Sequence, residues 1–452
     1  MSSTGPPGPG KRDIVAMLPD AVRNDPLQSA TALREDYGDV VKFPYHPSVG
    51  GSGYLVCHPD DIRTVLLTEQ TKFRAHETRA REDFKVVMGE GLVTSDGDHW
   101  LRQTRMITPM FHKQSVERFC DLFVREARRA AAEHDPGEEF ELLREAKRIA
   151  LRIIGQALFS TNLEEREPDI YEALTTLRNG FKRRNYSPVS PPLWMPTPEN
   201  RRIHEARDLL WTVAEELIEE RRGDADAETD LLSLLLTAED EVTGESMTDE
   251  EVRDEVITFL IAGHTTIAAA LTWTWYLLAS NPAAHRRLYE SVRDVDLDSP
   301  SLETIGDLEE ATRVVKETLR LYPSVPLMGR ETDEPVELGG YDIPESATLI
   351  ISPYLAHRDA RFWECPSAFD PDRFRPERSD DRHEFAYFPF SAGSHMCTGR
   401  ELAMLELPLV ISAVVAERRW TFADGTVPDV DPDFGINLEP DNPIEMRSEP
   451  WP

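Results

Sequence analysis

Residues 390–399 read Phe390-Ser391-Ala392-Gly393-Ser394-His395-Met396-Cys397-Thr398-Gly399 and run straight into an apolar, helix-forming stretch at 400–417. Gly393 and Gly399 free the backbone to turn tightly and to approach something flat. Cys397 stands just before a helix N-terminus, where free amides and the positive end of the helix dipole favour a thiolate. A lone cysteine in a protein without disulfides is most often an inert small hydrophobe. In this neighbourhood it reads instead as a thiolate held by backbone N–H groups, which makes it a metal ligand or a nucleophile. A nucleophile wants a histidine base and an orienting partner, and His395, two residues away in an extended loop, points elsewhere. No second cysteine lies nearby, which disfavours zinc and iron–sulfur sites. One thiolate on haem iron is what remains.

Outward from this loop the chain reads as mostly helical. Apolar spacing predicts helices over 116–134, 139–159, 203–222, 308–321 and 402–417. The longest apolar run, 256–279, could span a bilayer by length. It is interrupted by Gly263, His264, Thr265 and Thr266, and it follows Asp249, Glu250, Glu251, Asp254 and Glu255, so a buried internal helix ended by Asn281-Pro282 is expected. A minor β part is expected at 40–45 and 54–57 around a turn at 48–53, at 336–337, 341–343 and 348–352, and as a last strand at 434–438. Residues 185–200 carry Pro188, Pro191, Pro192, Pro196 and Pro198, which no helix tolerates in its interior; they read as a surface connection and candidate lid. No repeat or Gly/Ser linker divides the chain, so residues 1–452 read as one domain, with 1–12 as a flexible lead-in.

The cysteine run resembles the F-x-x-G-x-x-x-C-x-G signature of the cytochrome P450 haem-thiolate monooxygenases. Further matches follow the family's order: Ala262-Gly263-His264-Thr265-Thr266 for A-G-x-[DE]-T-T, Glu317-Thr318-Leu319-Arg320 for E-x-x-R, and Pro371-Asp372-Arg373-Phe374 for the P-E-R-F-like segment. The string His357-Arg358-Asp359 with Trp363 and Pro366 is also similar to the family. The resemblance spans about 40–438. It implies a triangular, mainly α fold with a minor β part and a long central helix over haem b (heme b, iron protoporphyrin IX). It implies Cys397 as axial iron ligand, framed by Phe390 and Gly399, and His395, Arg330 and Trp100 near the propionates. It implies Glu317, Arg320 and Arg373 as a buried structural network, and Ala262, Gly263 and Thr266 lining an oxygen pocket, with Thr266 helping to deliver protons. Gly91-Leu92-Val93-Thr94-Ser95 resembles a haem-facing loop of the bacterial fatty-acid hydroxylase type, so Val93, with Val325 and Leu327, is expected at substrate.

Two departures stand out. The cation the family often carries four residues after Trp100 is Thr104 here; Arg105, one further, points about 100° away and inherits no role. Thr265 replaces the family's Asp or Glu, so proton delivery is expected through water, His264 or another acid.

The implied activity is insertion of one atom of O2 into a hydrophobic substrate, with electrons from a separate ferredoxin and reductase. The alternatives are a peroxide-using peroxygenase or isomerase, and a haem sensor or electron carrier. A formal charge of −33, from 83 Asp+Glu against 50 Lys+Arg, excludes a nucleic-acid binder. Such diffuse acid, with almost all positive charge in arginine, suits a halophilic protein in strong salt, where self-repulsion is screened. Met1–Gly10 has no apolar targeting segment, so a cytoplasmic protein without a membrane anchor is expected.

Overall fold

Long amphipathic segments and short β-branched runs give a mainly helical chain with small sheets in the computed structural model, which describes residues 5–10, 26–44, 52–75, 79–186, 190–223 and 230–452. Of the lead-in expected to be flexible at 1–12, residues 5–10 are described, and Pro7 O accepts from Lys42 N at 2.8 Å; the turn at 48–53 lies largely outside the described residues. The helices used below are α1 (Gly97–Ile107), α2 (Cys120–Glu133), α3 (Leu142–Phe159), α4 (Glu167–Tyr186), α5 (Pro198–Gly223), α6 (Asp249–Ser280), α7 (Glu309–Leu321) and α8 (Arg400–Glu417).

The central helix α6 has 32 residues, a rod of about 48 Å at 1.5 Å per residue. It starts a full two turns before the expected 256. Thr248 and Glu251 form a reciprocal capping box, with Glu251 N donating to Thr248 Oγ1 at 3.2 Å and Thr248 N to Glu251 Oε2 at 2.7 Å. The acidic flank is therefore the helix's own first turn, where negative side chains complement the dipole. Helices α2, α3, α5, α6, α7 and α8 supply most of one large apolar core. Among the described residues α6 is the one helix long and apolar enough to cross a membrane, and 83% of its most apolar window is buried inside the protein.

The stretch expected as a helix from 139 begins as a short strand, Glu139–Glu141, because Glu141 stays extended and caps α3 through the amides of Leu143 and Arg144. The expected last strand at 434–438 is instead a hairpin of Pro432–Phe434 against Leu438–Pro440. In the proline-rich segment, the described part is fastened down: Arg184 donates to Pro191 O at 2.6 Å, and Asn200 Nδ2 to the carbonyls of Pro192 and Met195, both at 2.8 Å. A lid of residues 185–200 moving as a whole would have to break these bonds.

A five-stranded sheet holds β1 (Val40–Pro44), β2 (Ser52–Val56), β3 (Phe73–Ala75), β4 (Met328–Thr332) and β5 (Thr348–Ile351) in the order β1-β2-β5-β4-β3. Only the β2–β5 pair is parallel. In the β3–β4 pair Ala75 lies opposite Arg330, which brings Arg330 to the end of α1.

Candidate haem-thiolate site

The loop before α8 closes on itself. Cys397 N donates to Phe390 O at 2.9 Å and Met396 N to Gly393 O at 3.2 Å. Gly393 has φ +69°, and a Cβ there would fall 1.9 Å from the Leu66 carbonyl oxygen, so both conformation and contact demand glycine. Gln70 locks the same turn by accepting from Ser394 N at 2.7 Å. Gly399 differs from expectation: its φ is an ordinary −79°, and its Cβ would meet only Cys397 Sγ, at 4.0 Å.

Cys397 is accessible at its surface yet set deep among protein atoms. Burial pushes its thiol up from the usual value, against the pull of the Gly399 amide and the Arg400 guanidinium. The Gly399 amide and Arg400 favour the thiolate, in the sense expected of a helix N-terminus, while desolvation opposes them and is the larger effect. A bound metal ion reverses that balance, since a coordinating thiol is deprotonated outright.

The support beneath the loop is the Glu317–Arg320–Arg373 network. Arg320 Nε and Nη2 donate to the two oxygens of Glu317 at 2.7 and 2.8 Å. Its remaining donors reach His357 O at 2.9 Å, Pro366 O at 2.7 Å and Ala368 O at 3.0 Å. All five guanidinium N–H groups are used. Arg373 adds Nε to Glu317 Oε1 at 3.3 Å, and its other nitrogens hold the carbonyls of Glu364 and Cys365. Arg320 and Arg382 both lie over the Trp363 ring, at 4.9 and 3.9 Å. Arg382 went unread in the sequence because cation–π partners have no fixed spacing.

Helix α6 is buried on every side from Asp254 to Trp275 except at Ala262, Gly263 and Thr266, which share one face and are partly open. That opening, the accessible thiol of the cysteine loop and the exposed apolar side chains of Val93 (56%) and Val325 (37%) fit a flat, apolar group gripped by one sulfur. Leu327 is half-buried beside Val325.

Two positions on α6, Thr265 and His264, need correction. Gly263 is partly open as expected, and because a Cβ there would fall 2.3 Å from Ile154 Cδ1, its missing side chain also lets α6 pack on α3. Thr265 is buried and donates to Ile261 O at 2.7 Å, off the open face. His264 Nε2 bonds Lys147 O at 2.9 Å and its ring is fully buried; it too points away, and burial holds it neutral, down to about 3. Thr266 is on the open face, its hydroxyl donating to Ala262 O at 2.7 Å. Its lone pairs stay available, but to donate outward it must turn from that carbonyl.

Trp100 and His395 meet, ring centroids 4.2 Å apart. Asp96, missed in the sequence, ties them to Arg330: its carboxylate lies 3.9 Å from His395 Nε2 and accepts from Ala75 N at 3.0 Å, and Ala75 is paired with Arg330. Arg330 Nη1 donates to Gly329 O at 2.9 Å. Thr104 Oγ1 is buried without a partner, and Arg105 forms a two-pronged pair with Asp240 at 2.8 Å.

The chain matches the cytochrome P450 family model over residues 6–445. It is 32% identical to cyclooctatin synthase of Streptomyces melanosporofaciens, over 94% of this chain and 91% of that one. It is 32% identical to pentalenene oxygenase of Streptomyces avermitilis, over 91% and 90%, and 30% identical to human cytochrome P450 4X1, over 94% and 87%. With the cysteine loop, the saturated arginine network and the opened central helix, these matches make the chain a member of the cytochrome P450 family, an oxidoreductase of the monooxygenase kind.

Proposed function

We propose that this P450 oxidises a compact, hydrocarbon-like substrate in the cytoplasm, as one domain, with electrons from a separate ferredoxin and its reductase. The balance is RH + O2 + 2 H+ + 2 e− giving ROH + H2O. The observation that carries the proposal is the single break in the burial of α6 between Asp254 and Trp275, at Ala262, Gly263 and Thr266. Cys397 would hold the iron of haem b, which when bound would supply O2 activation, with the Gly399 amide steadying the sulfur and Trp100, His395 and Arg330 holding the propionates. Val93, Val325 and Leu327 keep the substrate side apolar and exclude water. Two relatives bear names that specify pentalenene and cyclooctat-9-en-7-ol, which favours a hydrocarbon or simple alcohol over a fatty acid. The acidic surface suits a halophilic setting, tested by loss of structure on dialysis into dilute buffer.

Replacing Cys397→Ser should abolish turnover and the thiolate signature of the ferrous–CO spectrum; a variant that keeps both rules the assignment out. Titration with polycyclic hydrocarbons and alcohols should shift the Soret band as water leaves the iron. A peroxide-driven reaction is the second reading, favoured because neither Thr265 nor His264 faces the opening. Product from H2O2 but none with reduced ferredoxin would select it.

A further inference from the structure

We propose that the Glu255 carboxyl, with the Thr258 hydroxyl beside it, delivers protons to the open face of the central helix at Ala262 and Thr266, in place of the acid missing at position 265. The proposal rests on the monooxygenase reading above. Glu255 lies seven residues before Ala262 and eleven before Thr266, within about 20° of the same helix face. It is completely buried, and neither carboxylate oxygen makes a hydrogen bond of ordinary geometry, the Leu92 amide being the donor that bears on it. Thr258 is buried as well and its hydroxyl is equally unpartnered. The contrast within one helix is informative: Thr265, Thr266, Thr272 and Thr274 all donate to the carbonyl four residues back at 2.7 Å, and Thr258 alone does not.

The loop 89–92 roofs this pair. A Cβ on Gly91 would fall 2.1 Å from Thr258 Oγ1, and Glu90 N donates to Asp254 Oδ2 at 3.0 Å. Val93, which is exposed, follows directly. Burial raises the Glu255 carboxyl to about 8; the Leu92 amide, outside hydrogen-bond geometry, opposes this, and Asp254 and Glu251 of the same helix add to it. No cation from a packed element acts on it among the described residues. Glu255 therefore keeps its proton at neutral pH, as a proton donor must. Seven residues span about 10 Å, a gap that Thr258 and bridging water can cross. Each turnover takes two protons inward, so the Glu255 carboxyl must be reprotonated after each transfer.

The test uses ferric holoenzyme and the variants Glu255→Gln and Thr258→Val. Infrared spectra of the wild type should show a buried carboxylic acid C=O band that titrates near pH 8 and vanishes in E255Q. With O2 and reduced ferredoxin, E255Q should lose roughly tenfold or more in product formed per O2 consumed, with more H2O2 released and a changed pH profile; T258V should shift the same way by less. Turnover driven by added H2O2, which brings its own protons, should be unchanged in both. Absence of the band from the wild type, unchanged coupling in E255Q, or an equal loss in the H2O2-driven reaction would each overturn the proposal. A thiolate CO spectrum retained in E255Q keeps its failure separate from failure of the haem-thiolate reading.

Discussion

The scaffold beneath the cysteine loop and the middle of the central helix bury polar groups in opposite ways. Under the loop every N–H of Arg320 has an acceptor, and Glu317 accepts from Arg320, Arg373 and the Asp370 amide. On α6, Glu255, Thr258 and one nitrogen of His264 are buried without a hydrogen bond of ordinary geometry. An unpartnered polar group in a low-dielectric interior costs free energy, whereas a saturated network rigidifies its surroundings. The first region is built to stay still and the second holds polar groups in reserve.

Changes in the first region should therefore cost stability and changes in the second should alter reactivity. The largest effect is expected from Arg320→Leu, which strands the Glu317 charge. Breaking a buried pair costs about 3–5 kcal/mol, a large part of a typical domain's stability, so haem-loaded soluble protein should nearly vanish. A variant with wild-type thermal midpoint and haem content would break the comparison. Gly263→Val comes next. Its side chain collides with Ile154, and overpacking of this kind costs roughly 1–3 kcal/mol. The double variant with Ile154→Ala should recover part of the thermal midpoint, and simple additivity would show that the two side chains do not meet.

A smaller effect on stability, with a clear effect on chemistry, is expected from Thr266→Ala. The helix loses one back-bond, worth about 0.5 kcal/mol or less, while H2O2 released per product rises; unchanged coupling removes the role of Thr266. The mildest effect is on pH dependence. Burial lowers His264, His285 and His357 from 6.5 to about 3. The folded protein keeps them neutral while the unfolded chain binds protons below pH 6.5. Their contribution is thus fully present above that pH and fades as pH falls toward 3. Chemical unfolding at stepped pH should show His285→Gln flattening this slope; an unaltered slope would mean that His285 is already charged in the fold.

Much of the site was legible because its parts are local. The cysteine loop, the E-x-x-R turn and the A-G-H-T-T run each lie within ten residues, and their chemistry follows from spacing. Helix α6 was legible as a buried helix but not in extent, because its acidic first turn looks like a flank until the Thr248 cap is seen. Asp96 was not legible. It links α1, β3 and the cysteine loop through contacts across about 300 residues of chain. Gly263 was legible as a place of close approach but its partner Ile154 was not, since a missing Cβ does not say which neighbour fills the space.

By itself the sequence determined the family, the cysteine loop around Cys397 and the buried arginine network, because each rests on residue types at short, fixed separations that covalent geometry carries into space. Only the tertiary structure decided that Thr265 and His264 turn from the opening, that Gly263 yields to Ile154, and that Glu255 and Thr258 are buried without ordinary hydrogen bonds. Helix rotation, burial and hydrogen-bond satisfaction depend on which distant segments pack against a residue, and that is settled when the core closes.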